Sequence, residues 1–302
     1  MKVGPPVLRV RDIDKIVAFY ETNLGLQVKR RLQDDYENAL YELGFVHIDY
    51  PKKSLLQLHH DPNAKNASPH SAGLFHFAIL VPNRESLAST YLALKNSGVN
   101  YDGFADHLVS ESLYLRDPEN NGIEIYRDRL AKDWPRDSAG HIVMDTLPLD
   151  LNSLLSEMKE GETENPKAFP TGASIGHIHL RVTDLERSIK FYHEELKLDI
   201  TVNWKSMGAA FLSAGGYHHH VGMNTWHSRN GEGHSSNVIW LENFTITLPD
   251  ISSLNGLRSA IKDHHYIVYE QQLWNQKSDD ENQFMVSDPD GIQIVIRSEK
   301  QK

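Results

Sequence analysis

Two histidines and one glutamate define the chemistry this chain could carry. His76 lies in GLFHFAILVPN and His177 in ASIGHIHLRVTD, segments whose apolar pattern predicts strands, and each histidine occupies the same point of a repeated unit. Glu124 falls in DPENNGIEIY, at the end of the first of those units. Two imidazoles and a carboxylate are the ligand set that holds Fe(II) by one face and leaves positions open for a substrate and dioxygen. Mn(II) also fits this donor set. A lone strand histidine is more often packed or solvent-facing than a ligand, so the argument rests on the coincidence of the three. Glu124 adds weight, because an unpaired carboxylate is costly to bury in a segment as apolar as GIEIY, and metal ligation offsets that cost.

Composition narrows the classes. A chain of 302 residues, 39% hydrophobic and 24% charged, reads as an ordinary globular protein of about two domains. A formal charge of −10 argues against a nucleic-acid partner, since phosphate backbones are held by clustered Lys and Arg. No apolar run is long enough to span a bilayer, and MKVGPPVLRVRD enters folded-looking sequence without a signal segment, so no membrane partner and a cytoplasmic location are expected. The absence of cysteine excludes disulfides, thiolate metal sites and a thiol nucleophile, leaving nitrogen and oxygen donors for any metal; 17 histidines can supply them.

The elements that must position these residues come in copies. VLRVRDIDKIVAFYETNLGLQV and IHLRVTDLERSIKFYHEELKLDI both read as strand, Asp, and an amphipathic helix containing FY. Asp12 and Asp184 stand at N-cap positions, followed by apolar residues at helical spacing: Ile13, Ile16, Val17 and Tyr20 in one, Leu185, Ile189 and Tyr192 in the other. FAILVPNRESLASTYLALKNSGV and FTITLPDISSLNGLRSAIKDHHY form a second pair. Short alternating segments follow each helix. The reading is α+β: four βαβββ modules with curved, mixed sheets. Modules one and two occupy 1–128 and modules three and four 173–302, joined by a linker over 129–172 in which Asp150 is placed to cap a short helix.

These motifs, with DHLVSESLYLRDPENNGIEIY and SAGGYHHHVGMNTW, resemble the vicinal oxygen chelate superfamily of glyoxalases, bleomycin-resistance proteins and extradiol dioxygenases, and within it catechol 2,3-dioxygenase-like proteins. The resemblance implies two sheet cups, with ligands on the first and last strands of paired modules. The first-strand positions hold Pro5, His76, His177 and Asn243; the last strands offer Gln57, Glu124, the run His218 to His220, and Gln293. Modules one and four therefore lack ligands, and the active cup is expected between modules two and three. This reverses the commonest extradiol order, in which the last two modules hold the metal.

By the same resemblance, Tyr114 and His107 are expected to donate hydrogen bonds to substrate, and His219 to serve as acid and base beside the dioxygen position. Strand alternation would send His219 to one face and its two neighbours to the other. His179 shares a face with His177 and is placed to line the pocket or orient a ligand; Trp226 and His227 border it. His59, His60, His264 and His265 read as surface. The implied function is an Fe(II)-dependent extradiol dioxygenase converting catechol or a substituted catechol plus O2 to a 2-hydroxymuconic semialdehyde. Its partners would be the catecholic substrate and O2, with a homo-oligomer in keeping with the superfamily. A glyoxalase-like metal-dependent isomerase or lyase, and a metal-free protein that binds aromatic compounds or drugs, stand as alternatives.

Overall fold

The computed structural model describes residues 1–33, 39–44, 54–158, 170, 172–263, 268–269 and 282–299. Each module runs strand, helix, three strands. In the first, the Asp12 carboxylate accepts from Lys15 N–H and starts a helix over Ile13–Leu24; it buries Ile13, Ile16, Tyr20 and Leu24, one stripe at helical spacing. Asp184 caps the third-module helix in the same way at Arg187 N–H. That helix, Leu185–Lys190, continues as a π-helical turn over Phe191–Glu195. The helices after Pro82 and Pro249 span Arg84–Asn96 and Ile251–Asp263.

The modules do not pair in chain order. Module two (Gly73–Leu80, Tyr101–Asp106, Ser110–Arg116, Gly122–Asp128) and module three (Ser174–Arg181, Asp199–Trp204, Ala209–Ser213, Val221–Asn224) merge into one eight-stranded sheet. Modules one and four, with the short Lys2–Val3 strand, make a nine-stranded one. At the centre of each sheet the first strands of the two modules lie antiparallel, and each is flanked by the last strand of its own module running parallel to it. The mixed, curved sheets and the partnership of modules two and three match the expectation.

The repeated FY motif has a structural explanation. Tyr20, fully buried on the module-one helix, donates to Asp117 Oδ2 in the turn of module two at 3.1 Å. Tyr192 does the same to Asp288 Oδ2 in module four at 3.2 Å. Each bond crosses from one sheet to the other, so each half of the chain is stitched into both. Gly122, in the same turn motif as Asp117, is required by close approach: a Cβ there would lie 2.1 Å from the Phe75 carbonyl oxygen.

The segment after residue 128 is not a loose tether. Leu147 pairs with Asp106 on the edge of the eight-stranded sheet, and Trp134 is buried. Asp150 caps a helix over Leu151–Leu155 as expected, and Arg84 donates to the Ser153 carbonyl there. Residues 159–169, and with them part of the predicted linker, lie outside the described residues, as do His264 and His265.

Candidate metal centre

Strand register brings the three predicted ligands together. Tyr114 pairs with Glu124, Glu124 with Ala78, and Ala78 with His177, so these residues form one row across the eight-stranded sheet. His76 sits two residues from Ala78 on the same face of its strand, and the small alanine leaves room between the rings. Glu124 Oε2 lies 2.8 Å from His76 Nε2 and 3.0 Å from His177 Nε2. The three residues are 5%, 2% and 1% exposed in chain order. Ser112 Oγ donates to the other carboxylate oxygen at 2.6 Å and fixes its orientation.

These residues fit a divalent ion. Neighbouring donors on one face of an octahedral ion, at bonds of ~2.1 Å, stand about 3 Å apart, the separation found around Glu124 Oε2. His76 Nε2 is buried, with Glu124 Oε2 its one close polar neighbour, so both atoms face the space an ion would occupy. His177 Nδ1 is also buried without a hydrogen bond. Burial opposes the charge on Glu124, but His177 and His76 outweigh it and hold the carboxyl well below its usual range. Among the described residues these are the only three His, Asp or Glu side chains grouped closely enough to hold an ion. The equivalent positions of the other sheet, Pro5, Gln57, Asn243 and Gln293, carry no imidazole or carboxylate.

A cavity of about 340 Å³ opens beside His76 and Glu124, lined by them and by Tyr114, His107, His179 and His219 together with apolar side chains. Its hydrophobic wall comes from Phe75, Trp204, Phe211 and Met144, and from Trp226, which packs edge-on to Phe75. His179 stands 4.9 Å from the His76 ring and meets Asn224 Nδ2 through Nε2 at 3.0 Å. Met144 and Thr146 belong to the predicted linker, whose contribution to the pocket no sequence pattern indicated.

Three expectations need correction. His107 and Tyr114 are bonded to each other, Nε2 to hydroxyl at 2.7 Å, because the Asp145 carbonyl takes His107 Nδ1–H at 2.8 Å and leaves Nε2 to meet the tyrosine. Burial and the Glu124 charge raise the Tyr114 hydroxyl well above its ordinary pKa, so it stays protonated. The run His218 to His220 precedes the Val221–Asn224 strand and does not alternate; His218 and His219 meet Nδ1 to Nδ1 at 2.8 Å. His59 is 6% exposed and buried against Glu242, with Arg9 on the same carboxylate. Period two does reveal one residue that was overlooked: Asp128, four positions after Glu124 on the same strand face, accepts from His218 Nε2 at 2.8 Å.

The family model described as the glyoxalase/bleomycin resistance protein/dioxygenase superfamily matches residues 2–125 and 174–296. The chain belongs to this superfamily. A catechol-2,3-dioxygenase of Bacillus subtilis (strain 168) is 37% identical over 288 residues, covering 95% of this chain and 93% of its own. Glyoxalase I from Zea mays shares the fold at TM-score 0.58 and 19% identity, over 98% of this chain and 92% of its own. A solved structure from Bacillus subtilis subsp. subtilis str. 168 aligns at TM-score 0.67 and 12% identity, over 100% of this chain and 86% of its own. Among the described residues, no helix is long and apolar enough to cross a membrane.

The buried histidines at and beside this site make stability depend on pH. Burial, the largest cause in each case, pushes His177, His179 and His219 below the ordinary histidine range and His220 down to about 4. A folded-state value below the unfolded ~6.5 means the unfolded chain binds more protons as pH drops through that range, so folding stability is lost on acidification. Between pH 7 and pH 5 the loss is about 2 kcal/mol for His220 alone. Most of this window lies above the range in which unfolded carboxylates titrate. Urea titrations of metal-free protein should show a steady decline over it; a flat or rising stability would remove the claim that these rings are buried neutral.

Proposed function

We propose that the chain is an extradiol ring-cleaving dioxygenase that uses Fe(II) and acts on catechol or a catechol with apolar substituents. The buried group of His76, Glu124 and His177 at the base of an aromatic-walled pocket carries the reading, and the similarity to a catechol-2,3-dioxygenase over nearly the whole chain supports it. His76, Glu124 and His177 would hold Fe(II), which would supply open positions for a catechol and O2. Mn(II) suits the same donors.

The chain's own residues account for the rest. Phe75, Trp204 and Phe211 offer faces and edges against which an aromatic ring packs, displacing water from that wall. The Tyr114 hydroxyl, its proton directed at His107, presents an oxygen that accepts from a substrate O–H. His219, kept neutral by burial, takes a proton from the second substrate hydroxyl and returns it during ring opening. Both atoms of O2 enter the product, a 2-hydroxymuconic semialdehyde, so no external reductant is needed. Among the described lining residues Arg116 is the single Lys or Arg, and it is tied to Asp102 at 2.6 Å. A carboxylated catechol would therefore enter without a counter-charge.

The test is aerobic addition of catechol, 3-methylcatechol or protocatechuate to protein reconstituted anaerobically with Fe(II). Yellow ring-opened product from the first two, with one O2 consumed per ring and little from the carboxylated compound, is expected. Turnover in the absence of O2, or formation of colourless cis,cis-muconate, would overturn the proposal.

A further inference from the structure

The nitrogen that His219 shows to the pocket is governed from outside it. Asp128 Oδ1 lies 2.8 Å from His218 Nε2, and His218 Nδ1 lies 2.8 Å from His219 Nδ1. A carboxylate only accepts, so His218 Nε2 carries hydrogen. A neutral imidazole has one N–H; His218 Nδ1 is then an acceptor, and the hydrogen shared between the rings belongs to His219 Nδ1. His219 Nε2 is left with a bare lone pair.

The surroundings hold this chain of bonds in place. His218 is wholly buried, with the rings of Tyr217 and Trp134 packed on it at 4.1 and 5.3 Å. The second oxygen of Asp128 accepts from Tyr217 Oη at 2.9 Å, and that hydroxyl meets Tyr126 Oη at 2.8 Å. The carboxylate is thereby pinned with one oxygen facing His218.

We propose that Asp128 and His218 are positioning residues that set the tautomer of His219, so that its pocket-facing nitrogen is an acceptor for a substrate hydroxyl. For a neutral His218 the tautomer follows from the hydrogen-bond geometry; its catalytic consequence rests on the ring-cleavage reading. A carboxylate that fixes the tautomer of a working histidine is a recurring device, and its loss leaves the ring in place with the wrong nitrogen protonated.

Long-range proton–nitrogen correlation spectra of the full-length, metal-free chain with 15N-labelled histidine read each tautomer directly, with His218→Gln and His219→Gln assigning the signals. The parent protein should show His219 protonated at Nδ1 and His218 at Nε2. Asp128→Asn, whose amide can turn either an oxygen or an NH2 to His218, and Asp128→Ala, which offers no acceptor, should each mix or invert the His219 tautomer. Hydrogen on His219 Nε2 in the parent, or an unchanged tautomer in both variants, would overturn the proposal. With Fe(II) loaded, Asp128→Asn should lower kcat roughly 10- to 100-fold with KM and bound metal unchanged. A shifted tautomer with undiminished kcat would refute the catalytic consequence. Should the parent cleave no catechol at all, the functional reading fails while the spectra still decide the tautomer.

Discussion

Replacing Glu124 with glutamine should strip the centre of its metal and abolish ring cleavage. The substitution keeps the volume of the side chain and leaves an oxygen to accept from Ser112 Oγ, so the packing around the row Tyr114, Glu124, Ala78 and His177 is retained. What disappears is the anionic oxygen that lies within 3.0 Å of both imidazole donors. Losing a partner outside the ligand set commonly costs 10–100-fold in metal affinity, and losing a charged ligand should exceed that. After desalting, bound metal should fall from near one per chain to below ~0.1. Metal-free stability near neutral pH should fall, because the folded protein favours the ionised carboxyl and His177 Nε2 loses its anionic acceptor. Stoichiometric metal in Glu124→Gln would rule the triad out as the binding site.

The second large effect is expected at His219. Its ring lies 4.0 Å from that of His177, yet it supplies no atom to the ligand group, so its removal separates proton handling from metal binding. Glutamine at this position retains an amide able to bond His218 but has no basic nitrogen. The loss of a general acid or base is worth roughly 10²–10⁴ in kcat, and His219→Gln should show a fall of that order with bound iron and KM little changed. Loss of the metal would assign His219 a ligand or packing role; an unaltered kcat would remove it from catalysis.

The residues of the candidate centre were legible because the chain repeats itself. Copies of one module put equivalent positions at equivalent places, so His76 and His177 could be matched without knowing any distance, and Pro5, Gln57, Asn243 and Gln293 identified the modules that lack ligands. The family resemblance then supplied Glu124, the carboxylate on the last strand of module two. What could not be read depends on contacts between segments with no periodic relation. Asp145 captures His107 from across 38 residues, and Glu242 reaches His59 from across 183. His218 escaped because the His-rich run lies in a turn, where the alternation of a strand does not apply. Asp128 was within reach: it stands an even number of positions from Glu124 in a strand already predicted.

The interleaving of the two halves bears on how such a molecule can exist at all. His76 and Glu124 come from the first half, His177 from the second, and Tyr20 with Tyr192 fastens each half across both sheets. A single half would own an incomplete set of donors and would have to borrow the remainder from a twin, giving a symmetric pair with two identical centres. Joining the twins end to end lifts that obligation: one cup can hold a complete donor set while the other, with amides at Gln57 and Gln293, holds none.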